Sequence, residues 1–235
     1  MAFGATADTR ATGSGPPAAV AFTGRAEGDF GPGAGGDGSA LLARQRAVVD
    51  RPWKTVRQVH GRRAVTVPGP LADLAEVEAD ALVTACRDLA LAVKTADCAP
   101  VALASAEGVV AVAHAGWRGV ADGVLAEAVA AMRRLGATAI RAALGPCIGA
   151  ECYEFSQRDL DAVADRLGDG VRATTAAGRP ALDLAGAVRN ALDELGVELD
   201  FEAGACTACD GGGTRWFSHR ARGETQRQAT VVWRP

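Results

Sequence analysis

The sequence predicts a single layered α/β domain, and three observations carry the prediction. Four short apolar runs at 81–84, 89–93, 101–104 and 109–113 follow one another, separated only by polar or glycine-bearing turns. They are rich in Val, Leu and Ala and too short for helices, so they fit strands of a buried sheet. Segments of helical period then follow at 122–135, 157–167 and 183–195. Finally, 49% of the 235 residues are apolar, enough for a sizeable core. No internal repeat or linker divides the chain, so the domain is expected to span 18–235.

Each element has a local reason. Residues 1–17 are small, polar and Gly/Pro-bearing, and are expected to be disordered. Residues 18–22 read as a strand, and the Gly-rich stretch 24–40 reads as a mobile loop. A short helix, a turn at Arg51-Pro52 and a strand ending at His60 are expected next. A strand at 65–67 is broken by Pro68-Gly69-Pro70. In 122–135, Val124, Leu125, Ala128, Val129, Met132 and Leu135 form one stripe, Asp122 is the expected cap, and Gly136 ends the helix. A strand at 140–144 runs into Gly-Pro-Cys-Ile-Gly. The helix at 183–195 closes at Gly196, and strands are expected at 198–203 and 229–233.

Charge and cysteine usage exclude several function classes. The formal net charge is −3, which gives no electrostatic case for nucleic acid or an anionic membrane as partner. Lys54 and Lys94 are the only lysines, so arginine supplies nearly all the positive charge. No apolar stretch is long enough for a membrane span. Six cysteines without a recognisable signal peptide point to free thiols in a reducing compartment, hence a cytoplasmic protein.

The chemistry concentrates in two segments. Lys-Thr-Ala-Asp-Cys-Ala-Pro at 94–100 and His-Ala-Gly-Trp-Arg-Gly at 114–119 each place one strong metal ligand, Cys98 or His114, beside turn-forming residues at the end of an apolar run. His60, in Arg-Gln-Val-His-Gly, is the third candidate, and the chain has only three histidines. Either of Cys98 and His114 alone is more often a packed residue. Two His and one Cys at strand ends are a poor way to build a dry core, and they match an open zinc site with three protein ligands. A thiolate–imidazolium nucleophile at Cys98 and His114 is the alternative reading of the same atoms. Asp97 is expected either to accept an N–H from a ligand histidine or to form a simple Asx turn. Arg25, Arg118 and Arg220 are candidate anion donors. Cys147 is expected to face the site, His219 to support it or face substrate, and Cys152 to be packed. Cys206 and Cys209 form one C-x-x-C pair without a second pair at ribbon-like spacing, and are read as structural thiols.

Gln-Val-His-Gly (58–61), Thr-Ala-Asp-Cys-Ala-Pro-Val (95–101), His-Ala-Gly-Trp-Arg-Gly (114–119), Gly-Pro-Cys-Ile-Gly with Cys-Tyr-Glu (145–149, 152–154) and Trp-Phe-Ser-His-Arg (216–220) occur in that order. The set resembles the YfiH or laccase-domain family, also labelled multicopper polyphenol oxidase, from about Phe22 to Trp233. The resemblance implies a layered α/β fold with mixed central sheets flanked by helices. It also implies zinc on His60, Cys98 and His114, with purine nucleosides and phosphate as partners. The activities implied are phosphorolysis of adenosine, inosine, guanosine and S-methyl-5′-thioadenosine, together with adenosine deamination. The family's early Arg-Gly-Gly appears here as Arg25-Ala26-Glu27-Gly28 with a shortened loop after it. The late Thr-Gly-Arg appears as Thr225-Gln226-Arg227. Two other functions compete: a cysteine- or metal-dependent amidase editing peptidoglycan precursors, with Cys98 or Cys147 as nucleophile, and a copper-dependent polyphenol oxidase. Three histidines cannot supply the imidazoles of blue and trinuclear copper centres. The expected assembly is a monomer or homodimer.

Overall fold

A computed structural model describes residues 18–34 and 38–235; the segment expected to be disordered, 1–17, lies outside them. The elements are β1 (Ala19–Phe22), α1 (Ser39–Val48), β2 (Trp53–Lys54), β3 (Ala64–Thr66), β4 (Ala81–Thr84), β5 (Ala90–Thr95), β6 (Ala99–Ser105) and β7 (Val110–Ala115). Then come α2 (Trp117–Asp122), α3 (Val124–Arg134), β8 (Ile140–Leu144), α4 (Gln157–Leu167), β9 (Arg172–Thr174) and β10 (Pro180–Leu182). The chain finishes with α5 (Leu184–Glu194), β11 (Glu198–Glu202), α6 (His219–Arg222) and β12 (Gln228–Trp233).

The class is mixed α/β. A six-stranded sheet has the order β11-β8-β6-β7-β4-β3, a four-stranded sheet the order β1-β12-β5-β2, and β9 pairs with β10. Strand alternation sorts the core into layers. Val101, Leu103, Ala111 and Ala113 face one way and pack with Leu125, Val129 and Met132 of α3, Leu160 of α4 and Val188 of α5. Ala102, Ala104, Val110 and Val112 face the other way and meet Leu91, Val93 and Val232 of the second sheet. The outer face of that sheet carries Ala90, Ala92, Val231 and Trp233, which pack with Phe30, Trp53 and the α1 residues Leu41 and Val48.

Four expectations need correction. The four apolar runs do not form one sheet: β5 pairs with β12 and β2, whereas β4, β6 and β7 belong to the larger sheet. Strands of both sheets are covered on both faces, so all four read as continuous apolar runs. The helix expected over 122–135 begins only at Val124, because Gly123 at φ +92° separates α2 from α3. Asp122 ends α2 and pairs with Arg166 at 2.5 Å instead of capping α3. The strand expected to reach His60 stops at Lys54. Beyond it the N–H groups of 59–61 go to a side chain rather than to a strand partner. The stretch 24–40 is anchored in its described part: Phe30 is buried, and Asp29 accepts from Gly31 N at 2.7 Å and Arg227 N at 2.9 Å. Among the described residues no helix is long and apolar enough to cross a membrane.

Candidate functional site

The site lies where the space between the two sheets opens at strand ends. Pro100 pairs with His114 across β6 and β7, so Cys98, just before β6, lies close to the end of β7. Both residues share the parity of Ala102 and Val112, which face the second sheet. His60 completes the group from the irregular turn after β2. The ligand atoms of His60, Cys98 and His114 all lie within 4.8 Å of one another. Cys98 Sγ is 3.8 Å from His60 Nε2, and the two imidazoles meet edge to face at 4.7 Å between centroids. Two glycines permit this approach. A Cβ on Gly116 would sit 3.1 Å from both Cys98 Sγ and His60 Cδ2, and one on Gly119 would sit 3.0 Å from the Gly61 carbonyl oxygen.

One residue organises the three candidate ligands. Asp80 is fully buried. Its Oδ1 accepts from His114 Nδ1 at 2.7 Å and His60 N at 2.9 Å, and its Oδ2 accepts from Gly61 N at 2.7 Å and Val59 N at 3.3 Å. The carboxylate therefore fixes the His114 N–H on Nδ1 and leaves Nε2 for a ligand role. It also holds His60 at φ +60°, a left-handed conformation that non-glycine residues rarely adopt. Asp97, at φ +98°, is the other non-glycine residue with positive φ among those described. Two such residues in one small region are typical of functional sites.

The electrostatics follow from these contacts. Burial opposes the thiolate of Cys98, but the His114 imidazolium and hydrogen bonds from His114 and His60 outweigh it and bring the thiol down to about 6. Burial likewise opposes the His114 imidazolium, but the Cys98 thiolate and the Asp80 carboxylate push His114 up to about 9. Without a metal the pair is thus thiolate and imidazolium between those two values, and metal binding at Nε2 must release a proton. Chelated protein treated with iodoacetamide is expected to label at Cys98 at neutral pH, with the rate falling as pH drops through about 6. Peptide mass spectrometry reads the rate. A rate that keeps climbing to about pH 8.5, as for an ordinary thiol, would contradict the pairing.

A cavity of about 550 Å³ opens over the cluster, within the usual size for small-molecule sites. His60, Cys98, His114, Asp97, Arg118 and His219 all line it, so all three histidines of the chain meet there. Arg118 stacks on Trp117 at 4.5 Å and Arg220 on Tyr153 at 4.8 Å, and Lys94 and Arg227 add positive charge to the wall. Trp117, Tyr153, Lys94 and Asp80 carried no sequence signal of their own. Lys94, Trp117 and Tyr153 do lie inside the quoted segments; Asp80 does not.

Three site expectations are corrected. Among the described residues Asp97 has no hydrogen bond to a histidine: it accepts from Thr207 Oγ1 at 2.7 Å and from Arg220 N at 2.6 Å, and Asp80 takes the position beside His114. Arg25 is outside the cavity wall, where it forms an ion pair with Glu224 and stacks on Phe217 at 4.6 Å. Cys147 lines a separate cavity of about 310 Å³. Burial pushes its thiol far above the ordinary range, which makes it a poor nucleophile.

The donor set suits a metal by its own chemistry. One thiolate and two imidazoles favour zinc, and three ligands leave an open position toward the cavity. A family model described as multi-copper polyphenol oxidoreductase laccase matches residues 23–235. The chain is 43% identical over 182 residues to a purine nucleoside phosphorylase of Streptomyces griseus, covering 76% of this chain and 72% of that one. It is 41% identical over 201 residues to a purine nucleoside phosphorylase of Mycobacterium tuberculosis, covering 83% and 78%. Among solved structures, a Neisseria meningitidis protein aligns with a TM-score of 0.75 at 31% identity, covering 88% of this chain and 86% of that one. The YfiH protein of Bacillus licheniformis aligns with a TM-score of 0.72 at 28% identity, covering 88% and 86%. With nearly its whole length matched, the chain belongs to the multi-copper polyphenol oxidoreductase laccase family, which includes the YfiH proteins.

Proposed function

We propose that the protein is a zinc-dependent purine nucleoside phosphorylase that also deaminates adenosine. The observation that carries this reading is the juxtaposition of His60, Cys98 and His114 with unpaired cationic side chains in one small-molecule cavity. The names of the relatives support the purine nucleoside class; the individual substrates proposed, adenosine, inosine, guanosine and S-methyl-5′-thioadenosine, rest on the resemblance in the motifs.

In phosphorolysis a phosphate oxygen bonds to C1′ of the ribose as the C1′–N9 bond breaks, and the base leaves with the electron pair. Zinc bound to His60, Cys98 and His114 would supply Lewis acidity at the cavity floor. The chain's own residues do the rest. Lys94 and Arg118, which have no carboxylate in ion-pair range among the described residues, place positive charge where phosphate enters. Arg220 adds a third cation, held in place by its backbone bond to Asp97. Trp117 and Tyr153 supply apolar wall. This reading replaces Arg25 by Lys94 and Arg220 as phosphate contacts. Deamination exchanges the amino group at C6 of adenine for water's oxygen and releases ammonia, and is proposed for the same cavity.

Chromatography of products from zinc-loaded protein and adenosine, with and without phosphate, tests the reading. Free adenine that requires phosphate is expected from phosphorolysis, and inosine in either sample from deamination. Intact adenosine in both would refute the nucleoside reading and move attention to amide substrates. The copper oxidase reading finds little support: all three histidines lie around one cavity, too few imidazoles for a multinuclear centre.

A further inference from the structure

We infer that the protein holds a second metal, a structural zinc ion, bound by Cys152, Cys206 and Cys209 with Glu151 as the fourth ligand. The ligand atoms of these four residues lie within 4.8 Å of one another, away from the histidine cluster. Cys209 Sγ is 3.4 Å from Glu151 Oε1. A tetrahedral zinc with its usual bond lengths separates a thiolate from a carboxylate oxygen by about 3.5 Å and two thiolates by about 3.8 Å. The cluster therefore needs only small side-chain adjustments to close on one ion.

The backbone is built for this convergence. The residues come from two loops 54 and more positions apart. β8 and β11 run parallel, and the loops that leave them stay side by side through a bridge between Cys147 and Cys206 and a bond from Thr207 N to Cys147 O at 3.0 Å. One loop turns through a 3-10 segment at Ala150–Cys152 and presents Glu151 and Cys152. The other presents Cys206 and Cys209 at C-x-x-C spacing, the bite of many structural zinc sites. Gly149 N donates to Cys206 Sγ at 3.2 Å, a bond that stabilises a ligating thiolate. The Glu151 carboxylate is folded back into the space that a Cβ on residue 149 would need. Arg222, ion-paired with Glu224, donates to the Ala208 and Thr207 carbonyls at 2.9 and 3.2 Å and so fixes the backbone of the C-x-x-C segment.

Two consequences separate this centre from an ordinary group of packed thiols. Binding one divalent ion releases the thiol protons and involves no electron transfer, so the cysteines stay reduced. Both loops also reach the substrate cavity: Thr207 lies inside the C-x-x-C segment and bonds Asp97, and Tyr153 follows Cys152 and lines the wall. The ion would pin the wall of the first site without touching substrate.

The test uses the full-length chain carrying Cys98→Ala, which removes the thiolate of the first centre. The protein is reduced, chelated and reloaded with cobalt(II) as probe. One tightly held cobalt per chain is expected, with thiolate-to-cobalt charge-transfer absorption of the strength given by three thiolates. Adding Cys206→Ser should weaken cobalt binding by at least tenfold. Failure of the reduced Cys98→Ala protein to hold cobalt any better than the double variant overturns the inference. So does a count of four reactive thiols instead of six in the unfolded, zinc-free wild type, which would reveal a disulfide. Should Cys98→Ala not fold, zinc analysis of the wild type decides. Two zinc per chain falling to one in Cys206→Ser supports the second centre, and a single zinc that survives Cys206→Ser overturns it. A single zinc lost in Cys206→Ser would uphold this centre and count instead against metal at the histidine cluster.

Discussion

Cys98→Ala is expected to lower phosphate-dependent adenine release by about a thousandfold, the equivalent of about 4 kcal/mol of transition-state stabilisation. Cys98 is one of three proposed ligands, and the other two are neutral imidazoles when they bind metal. Its loss removes the only anionic ligand and leaves two histidines, too few to retain zinc firmly. Cys98→Ser should be nearly as inactive, since a serine hydroxyl does not ionise near neutral pH. The two readings of this residue separate under chelation. A metal ligand predicts that wild-type activity falls with chelator and returns with zinc. A nucleophilic cysteine predicts that chelation has no effect while alkylation abolishes turnover. Rates measured before and after chelation, and after alkylation of the chelated protein, distinguish them.

Asp80→Ala is expected to damage both the site and the fold. Four donors converge on the two carboxylate oxygens: three backbone N–H groups of 59–61 and the His114 ring. Removing the carboxylate strands the buried His114 N–H and the part-buried backbone donors, at about 1–3 kcal/mol each where water does not replace the acceptor. The variant should therefore lose at least about 3 kcal/mol of stability. Asp80→Asn is the more informative change. Its amide oxygen still accepts two of the four bonds, but its NH2 group faces donors in place of the other two. The fold should persist with a lower melting temperature, while zinc affinity falls about 10–100-fold, because His114 loses the carboxylate charge that raises its basicity as a ligand. Thermal unfolding and competition with a chromophoric chelator read the two effects separately. Wild-type zinc affinity in Asp80→Asn would remove Asp80 from the account of the site.

The candidate ligands are legible in the sequence and the residue that organises them is not. Histidine is so scarce in this chain that His60 and His114, each beside a glycine turn, stood out at once. Asp80 sits in Glu-Ala-Asp-Ala-Leu, where nothing marks it, and its role exists only because β4 pairs antiparallel with β7 and brings it to His114. Asp97 drew the same expectation through its position next to Cys98, but its side chain points to Thr207 and the α6 backbone instead. The fold shows the same division. β8 at 140–144 and α4 at 157–167 match their sequence patterns residue for residue, because each has a clear period and clear stops. β9 and β10 carry little pattern and escape notice, since Arg172-Ala173-Thr174 and Pro180-Ala181-Leu182 lack the β-branched run that Val65-Thr66-Val67 gives the equally short β3. The partition of apolar runs between two sheets escaped for a different reason: burial on both faces looks the same in either sheet. The Cys-x-x-Cys pair was visible, but Glu151 and Cys152 join it only through the parallel pairing of β8 and β11.

The most direct test of the account is zinc titration of fully chelated protein, with phosphate-dependent adenine release from adenosine as the readout. The account predicts a rate near background in the chelated protein and recovery with added zinc. It predicts no recovery in His114→Ala, where the chain lacks the ligand that Asp80 orients. Chelated, metal-free protein that releases adenine at the full rate would contradict it.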